Sequence, residues 1–309
     1  MLSLRVGSSL RDSRRETRVY SIAGRRLITD LLCDPLATFE LSGVPAALAP
    51  EEPAAVSPDG RITFDGDGRI GGGFRRVTCR EAGDGYRLQV GGVGVFAVTA
   101  DGEIRGGPLA PDLAPAALAE AALGPALILA LALQRVFCLH AGAVAAGDRA
   151  VAFLGPSGAG KSTLAARLPE LGRGWRRVAD DVLPVAASPG APCALPYFPQ
   201  LKLARHEQAA DPRDARLELA AVYLLAPPAP AADEVAIRPL TGWAATVALA
   251  RHTVAARLFG PALLAAHLAF CAEAAARVPI RTLAVPRRPD ALPRVAAALE
   301  GAFHPLADR

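Results

Sequence analysis

The sequence predicts a mixed α/β protein: a small β-rich N-terminal domain over residues 1–110, then an α/β domain over residues 111–309 whose centre is a phosphate-binding loop. Three observations carry that expectation. Up to about residue 108, short alternating runs are separated by glycine-rich turns. From Asp112 onward, Ala- and Leu-rich helical stretches alternate with short apolar strands. Within that second part, the apolar run AVAFL leads straight into GPSGAGKS, Gly155 to Ser162, a complete GxxxxGK[ST] sequence followed by the helix-forming TLAARL.

In the first part, Arg61 to Phe64, Arg75 to Cys79, Tyr86 to Val90 and Val93 to Val98 read as strands, parted by DGDG, AGDG and GG turns. Ala46 to Pro58, AALAPEEPAAVSP, reads as an exposed connection, and the chain has no internal repeat. In the second part, helices are expected at Pro115 to Gln134, Lys161 to Leu171, Gly242 to Phe259, Pro261 to Arg277 and Asp290 to Leu299. Strands are expected at Val136 to Leu139, Ala150 to Leu154, a run ending at Ala179, Ala221 to Leu225, Val235 to Ile237 and Arg281 to Val285.

Composition narrows the function classes. With 309 residues, 51% hydrophobic and 21% charged, the chain is globular rather than disordered. Its net charge of +4 is spread without a dense basic block, so nucleic acid is not an expected partner. Five cysteines, Cys33, Cys79, Cys138, Cys193 and Cys271, form no CxxC pair, which fits reduced thiols in a cytoplasm. The N-terminus lacks the apolar core of a secretory signal. Ala121 to Leu133, AALGPALILALAL, is interrupted by Gly124 and Pro125 and bounded by Glu120 and Gln134; it reads as a buried helix, with no membrane partner. Arginine has displaced lysine almost everywhere, leaving only Lys161 and Lys202.

Lys161 belongs to the loop. Glycines at Gly155, Gly158 and Gly160 let the backbone of Ser157 to Ser162 turn its amides toward phosphate oxygens without Cβ interference. Lys161 then reaches the β- and γ-phosphates, the Ser162 hydroxyl meets Mg²⁺, and Ala159 and Thr163 complete the nucleotide-binding segment. A glycine-rich strand-to-helix turn with a chance lysine is the competing reading, and the strand before and helix after argue against it. The motif alone leaves ATPase, GTPase and kinase open.

Nineteen and twenty residues after Lys161 stand Asp180 and Asp181, where a short strand should end. One helix of about three turns and a tight return would bring that end beside the loop, at the edge where open α/β sheets bind ligands. Adjacent carboxylates point to different sides, so a division between metal and acceptor proton is expected; a turn or cap is the plainer alternative. His140 ends the strand VFCLH and is a weaker candidate, while His206, His252, His267 and His304 carry no spacing and read as structural or exposed. Lys202, in YFPQLKL, is placed equally between meeting a phosphate or substrate and capping an element.

Taken in order, LHAGAV, GPSGAGKSTLAARL, RRVADDVLPV and PYFPQLKL resemble the HPr kinase/phosphorylase family, and more closely its shorter relatives that act as lasso peptide tailoring kinases. The resemblance covers roughly Ala114 to Leu203 well and the C-terminal part more weakly. It implies a P-loop kinase core of the HPr kinase and phosphoenolpyruvate-carboxykinase-like type, using ATP and Mg²⁺ to phosphorylate a serine of a peptide or small protein. It also implies that Asp180 takes the hydroxyl proton, Asp181 and Ser162 assist the metal, and His140 orients the Asp and phosphate. ARHEQAADPRDARLELAA, between Leu203 and Val222, departs from the family pattern, leaving Glu207, Asp211, Asp214 and Glu218 as unranked acidic candidates. A small-molecule kinase with the same core and a nucleotide-binding regulatory module remain alternatives. Family members commonly assemble, so a homo-oligomer is a further expectation, and the strands Tyr86 to Val90 and Val93 to Val98 are candidates to offer a peptide their edge.

Overall fold

The computed structural model describes residues 2–6, 17–31, 33–41, 59–109, 115–203, 211, 215–226, 234–286 and 288–300. The chain divides into two compact units, one of Met1–Val136 with Ala204–His206 and Ala255–Ala265, the other of Phe137–Leu203, Glu207–Val254 and Ala266–Arg309. The expected change of texture near residue 110 thus precedes a helical segment that groups with the N-terminal unit. The Ala46 to Pro58 connection, His206, Glu207, Asp214 and His304 lie outside the described residues.

The first unit is an eight-stranded sheet in the order β2-β3-β1-β8-β7-β6-β5-β4. Its strands are β1 (Leu2–Val6), β2 (Arg18–Ile22), β3 (Arg25–Thr29), β4 (Arg61–Ile70), β5 (Gly73–Ala82), β6 (Gly85–Val90), β7 (Gly94–Val98) and β8 (Glu103–Pro108). From β4 to β8 the chain meanders, each strand antiparallel to the next. The β4 to β5 reversal takes two residues, Gly71 and Gly72, both at positive φ (64° and 76°), the hairpin geometry that glycine reaches without a Cβ penalty. Leu88, Val90, Phe96, Val98 and Ile104 are fully buried on one face. The expectation that Tyr86 to Val90 and Val93 to Val98 offer an edge is corrected: β6 lies between β5 and β7, and β7 between β6 and β8, so their backbone groups are already paired. The unanticipated strands β1 to β3 are only five residues each, too short for their alternation to stand out.

The apolar segment expected over Pro115 to Gln134 is helical from Pro115 to Leu133. It comprises α2 (Pro115–Ala121), a π turn at Ala122–Ala126 and α3 (Leu127–Leu133); α1 is the short turn Asp34–Ala37. Gly124 leaves helical geometry (φ −85°, ψ −107°) just before Pro125, whose missing N–H and ring forbid a regular turn. By length and composition this is long enough to cross a membrane; two-thirds of it is buried inside the protein.

The second unit holds a nine-stranded mixed sheet. Its strands are β9 (Val136–Leu139), β10 (Gly142–Ala146), β11 (Arg149–Leu154), β12 (Arg176–Ala179), β13 (Leu183–Ala186), β14 (Cys193–Ala194), β15 (Leu217–Leu225), β16 (Ala236–Pro239) and β17 (Ile280–Ala284). The main order is β12-β10-β11-β15-β14-β13-β9, with β17 joining β15 and β16 joining β17. The β11 strand is parallel to β15, and β15 parallel to β17. Helices α4 (Lys161–Arg167), α5 (Gly242–Arg251), α6 (Pro261–Arg277, from Ala266 in this unit) and α7 (Leu292–Glu300) complete it. Val144, Val151, Phe153, Leu164, Leu168, Tyr223, Leu283, Val295 and Leu299 form one buried cluster between sheet and helices.

Two helices are shorter than expected. The one starting at Lys161 ends at Arg167 and passes into a 3-10 turn at Pro169–Leu171, because Pro169 brings no amide to continue the ladder. The helix starting at Gly242 ends at Arg251: Thr253 forms a β-bridge with Leu139, and Ala255 takes a left-handed φ of 61°. The β10 strand, GAVAA, escaped notice because four of its five residues are Gly or Ala, which are depleted in strands, leaving Val144 as its one strand former.

Candidate functional site

Sheet topology places the candidates at one edge. The β10 strand is antiparallel to both β11 and β12, so those two are mutually parallel and finish at the same side. The registers Gly142 to Phe153 and Ala143 to Ala179 put the start of β10 there as well. The Gly155 loop, the Asp180–Asp181 turn and His140, just before β10, therefore meet at one sheet edge.

The loop leaves β11 through Gly155, and Gly155, Gly158 and Gly160 sit at φ 151°, 80° and 106°. At Gly158 and Gly160 a Cβ would meet nothing within 4 Å, so the backbone conformation alone demands glycine there. At Gly155 a Cβ would crowd Ala159 Cβ at 3.1 Å and Leu225 Cβ at 3.3 Å. Ser157, Gly158, Ser162 and Thr163 are exposed, whereas Lys161 is 7% exposed. The Lys161 Nζ donates to the carbonyls of Gly155 (2.8 Å) and Pro156 (3.1 Å), which orients the ammonium inside the loop's curve. Burial depresses the Lys161 pKa; the carboxylates of Asp181 and Asp180 oppose that, and Lys202 adds to it. Gly142 lets β10 approach the first helical turn: a Cβ there would lie 2.8 Å from the Lys161 carbonyl oxygen.

The two aspartates differ. Asp181 Oδ1 accepts from Lys202 Nζ at 2.7 Å and lies 3.3 Å from His140 Nε2. Burial pushes the Asp181 pKa up, but His140 and Lys202 outweigh it and leave the group below the usual carboxylate range. Asp180 Oδ1 is buried with no hydrogen-bond partner. The backbone stitches the turn to the strand start: Ala141 N–H donates to Asp181 O (3.3 Å) and His140 N–H to His252 O (2.7 Å).

Sequence reasoning missed two residues. His252 is half-buried, its pKa depressed by burial and by the charges of Lys161, His140 and Arg251, which sets it in the same electrostatic neighbourhood; nothing in its spacing announces this. Gln200, 4% exposed, accepts at Oε1 from the N–H groups of Asp180 (3.2 Å), Asp181 (3.1 Å) and Val182 (3.2 Å). Its place two positions before the scarce Lys202 was the one signal the sequence offered. Other candidates sit elsewhere: Glu218 pairs with Arg149 (3.1 Å) at the start of β11, the end remote from the loop. His267 is buried against Thr253 Oγ1 (2.8 Å) and Cys271 Sγ (3.3 Å). Asp211 is described, and its charge helps raise the Tyr197 pKa, after burial.

Among the described residues, no group of three or more His, Cys, Asp or Glu side chains is arranged to hold a metal. A hard cation bound by one carboxylate and a hydroxyl would complete its shell with phosphate oxygens and water, as Mg²⁺ commonly does. The unpartnered Asp180 oxygen, the buried Lys161 cation and the open cradle over Gly158 and Gly160 fit a magnesium-bound nucleotide.

No family model matches the chain, and comparison with curated proteins finds no match. Among solved structures, the HPr(Ser) kinase/phosphatase from Coxiella burnetii is similar at 14% identity and a TM-score of 0.32, over 53% of this chain and 88% of that one.

Proposed function

We propose that this chain is a Mg²⁺- and ATP-dependent phosphotransferase that passes the γ-phosphoryl group to a serine hydroxyl on a peptide or small protein. The observation that carries the reading is the meeting, at one sheet edge, of a glycine loop holding a buried lysine with a carboxylate turn whose two members are held differently. In this reading the loop amides from Ser157 to Thr163 and Lys161 hold the phosphates, and bound Mg²⁺ supplies charge neutralisation at the transferring group. Asp181, kept ionised by His140 and Lys202, stands with Ser162 on the metal side. Asp180, with an oxygen that no protein group occupies, aligns the acceptor hydroxyl and takes its proton. His140 orients Asp181 rather than reacting. The serine acceptor and its peptide character rest on the motif resemblance of LHAGAV, GPSGAGKS, RRVADDV and PYFPQLKL. The test is to incubate the full chain with Mg-ATP and serine-containing peptides and read added phosphate by mass spectrometry. A phosphoserine product that disappears with Lys161→Ala supports the reading, and failure of the wild-type chain to bind Mg-ATP overturns it.

A further inference from the structure

We infer that Gln200 is a positioning residue that sets the geometry of the Asp180–Asp181 pair, an inference that rests on the nucleotide-site reading above. Its one side-chain oxygen accepts three consecutive backbone amides, those of Asp180, Asp181 and Val182, at 3.1 to 3.2 Å. Three successive N–H groups converging on one point form a nest, a concavity whose partial positive charge seeks an oxygen. The other end of the same amide is also engaged: Nε2 donates to Val182 O at 2.9 Å and Phe198 O at 3.2 Å. The amide thus grips residue 182 through both its N–H and its carbonyl, which fixes rotation as well as position. A turn closed by Leu203 N–H to Gln200 O (3.0 Å) brings Lys202 from the same short segment onto the Asp181 carboxylate. One turn therefore holds the acidic pair twice, Gln200 by its backbone and Lys202 by a side chain.

This arrangement has a functional logic. The Asp180 carboxylate has one buried oxygen without a partner, so its own side-chain bonding does not fix where it points. A buried polar group in that condition stays put only if the backbone beneath it is over-determined. Gln200, 4% exposed, supplies that constraint through the backbone of residues 180–182. Burying a glutamine is costly unless its groups are satisfied, and here both ends are.

The test uses the full chain with Gln200→Met, which matches the length and loses the amide bonds to residues 180–182 and Phe198, and Gln200→Asn, which keeps the chemistry one methylene short. Two quantities are read: amide hydrogen exchange over residues 180–182, and the ratio of ADP affinities with and without Mg²⁺. Exchange at the three amides should rise at least about tenfold in either variant. The Mg²⁺-dependent gain in ADP affinity should fall by about tenfold, while Mg²⁺-free ADP affinity stays within about twofold, because the loop is untouched. A variant that folds, loses amide protection and keeps the full Mg²⁺ gain overturns the positioning role. So does failure of both variants to fold, which would make Gln200 a folding determinant instead. If the wild-type chain binds no ADP, the nucleotide reading falls, and the amide exchange still reports whether Gln200 holds the turn.

Discussion

Truncating the two adjacent aspartates should change stability in opposite directions. Asp180 Oδ1 is buried and unpartnered, so the folded chain carries a desolvated acceptor that water would have satisfied in the unfolded one. That penalty is about 1–3 kcal/mol for a buried unsatisfied group. Attraction between Asp180 and Lys161, visible in the upward pull of Asp180 on the lysine's pKa, offsets part of it. We expect Asp180→Ala to stabilise the fold by about 1 kcal/mol, a rise of about 2–4 °C in Tm. Asp181→Ala removes the contacts to Lys202 (2.7 Å) and His140 (3.3 Å) and leaves the Lys202 ammonium without its carboxylate. With Lys202 largely exposed, the loss is modest, and we expect destabilisation of about 0.5–1 kcal/mol. Urea unfolding at pH 7 gives both signs, and Mg-ATP binding with phosphoryl transfer is measured on the same samples. Asp180→Ala should bind nucleotide yet transfer nothing; Asp181→Ala should need more Mg²⁺. Equal destabilisation by both variants would refute the claim that Asp180 is held ready for a group the protein itself does not provide.

Lys161→Ala should lower phosphoryl transfer by about 100-fold or more with the fold kept, and Lys161→Arg should not restore it, because the planar guanidinium cannot fit between the Gly155 and Pro156 carbonyls; steady-state kinetics decides both. Gly142→Ala should cost about 1–3 kcal/mol and weaken nucleotide binding, since its Cβ would press on the Lys161 carbonyl; thermal unfolding and ADP titration read the two effects. His267, its pKa pushed down to about 4 by burial, stays neutral in the fold while the unfolded chain protonates near 6.5. Its contribution is whole above pH 6.5 and is lost as pH falls toward 4, at up to about 1.4 kcal/mol per pH unit. Urea midpoints at pH 7 and pH 5 should converge in His267→Gln if this residue causes the slope.

Much of the site was legible because its signals are local. The glycine loop needs particular φ values within eight consecutive residues, and a run such as GPSGAGKS between an apolar strand and a helix records that need directly. The end of β12 at Ala179, and hence the position of the Asp pair, followed from strand length and chain reach. The sparsity of lysine drew attention to Lys202, which the fold then set on Asp181.

What the sequence by itself determined were these local matters: alternation in β5 to β7, the glycine loop, the acidic turn and the apolar stretch from Pro115; the DGDG run expected as a turn instead continues β4 through Asp65 to Gly68. Tertiary structure alone decided which groups meet. A strand such as β10, with Val144 alone among glycine and alanine, has little propensity to declare itself; it is a strand because β11 and β12 flank it, and that pairing is what aligns the loop with the aspartates. The surroundings of Asp180 and Asp181 diverge because Asp181 contacts residues about twenty and forty positions away, Lys202 and His140. Gln200 gained its three amide partners, and His252 its charged neighbours, in the same way. Hydrogen bonds and charge fields act through space over a few ångströms, so a pattern read along the chain registers them only where neighbours in space are also neighbours in sequence.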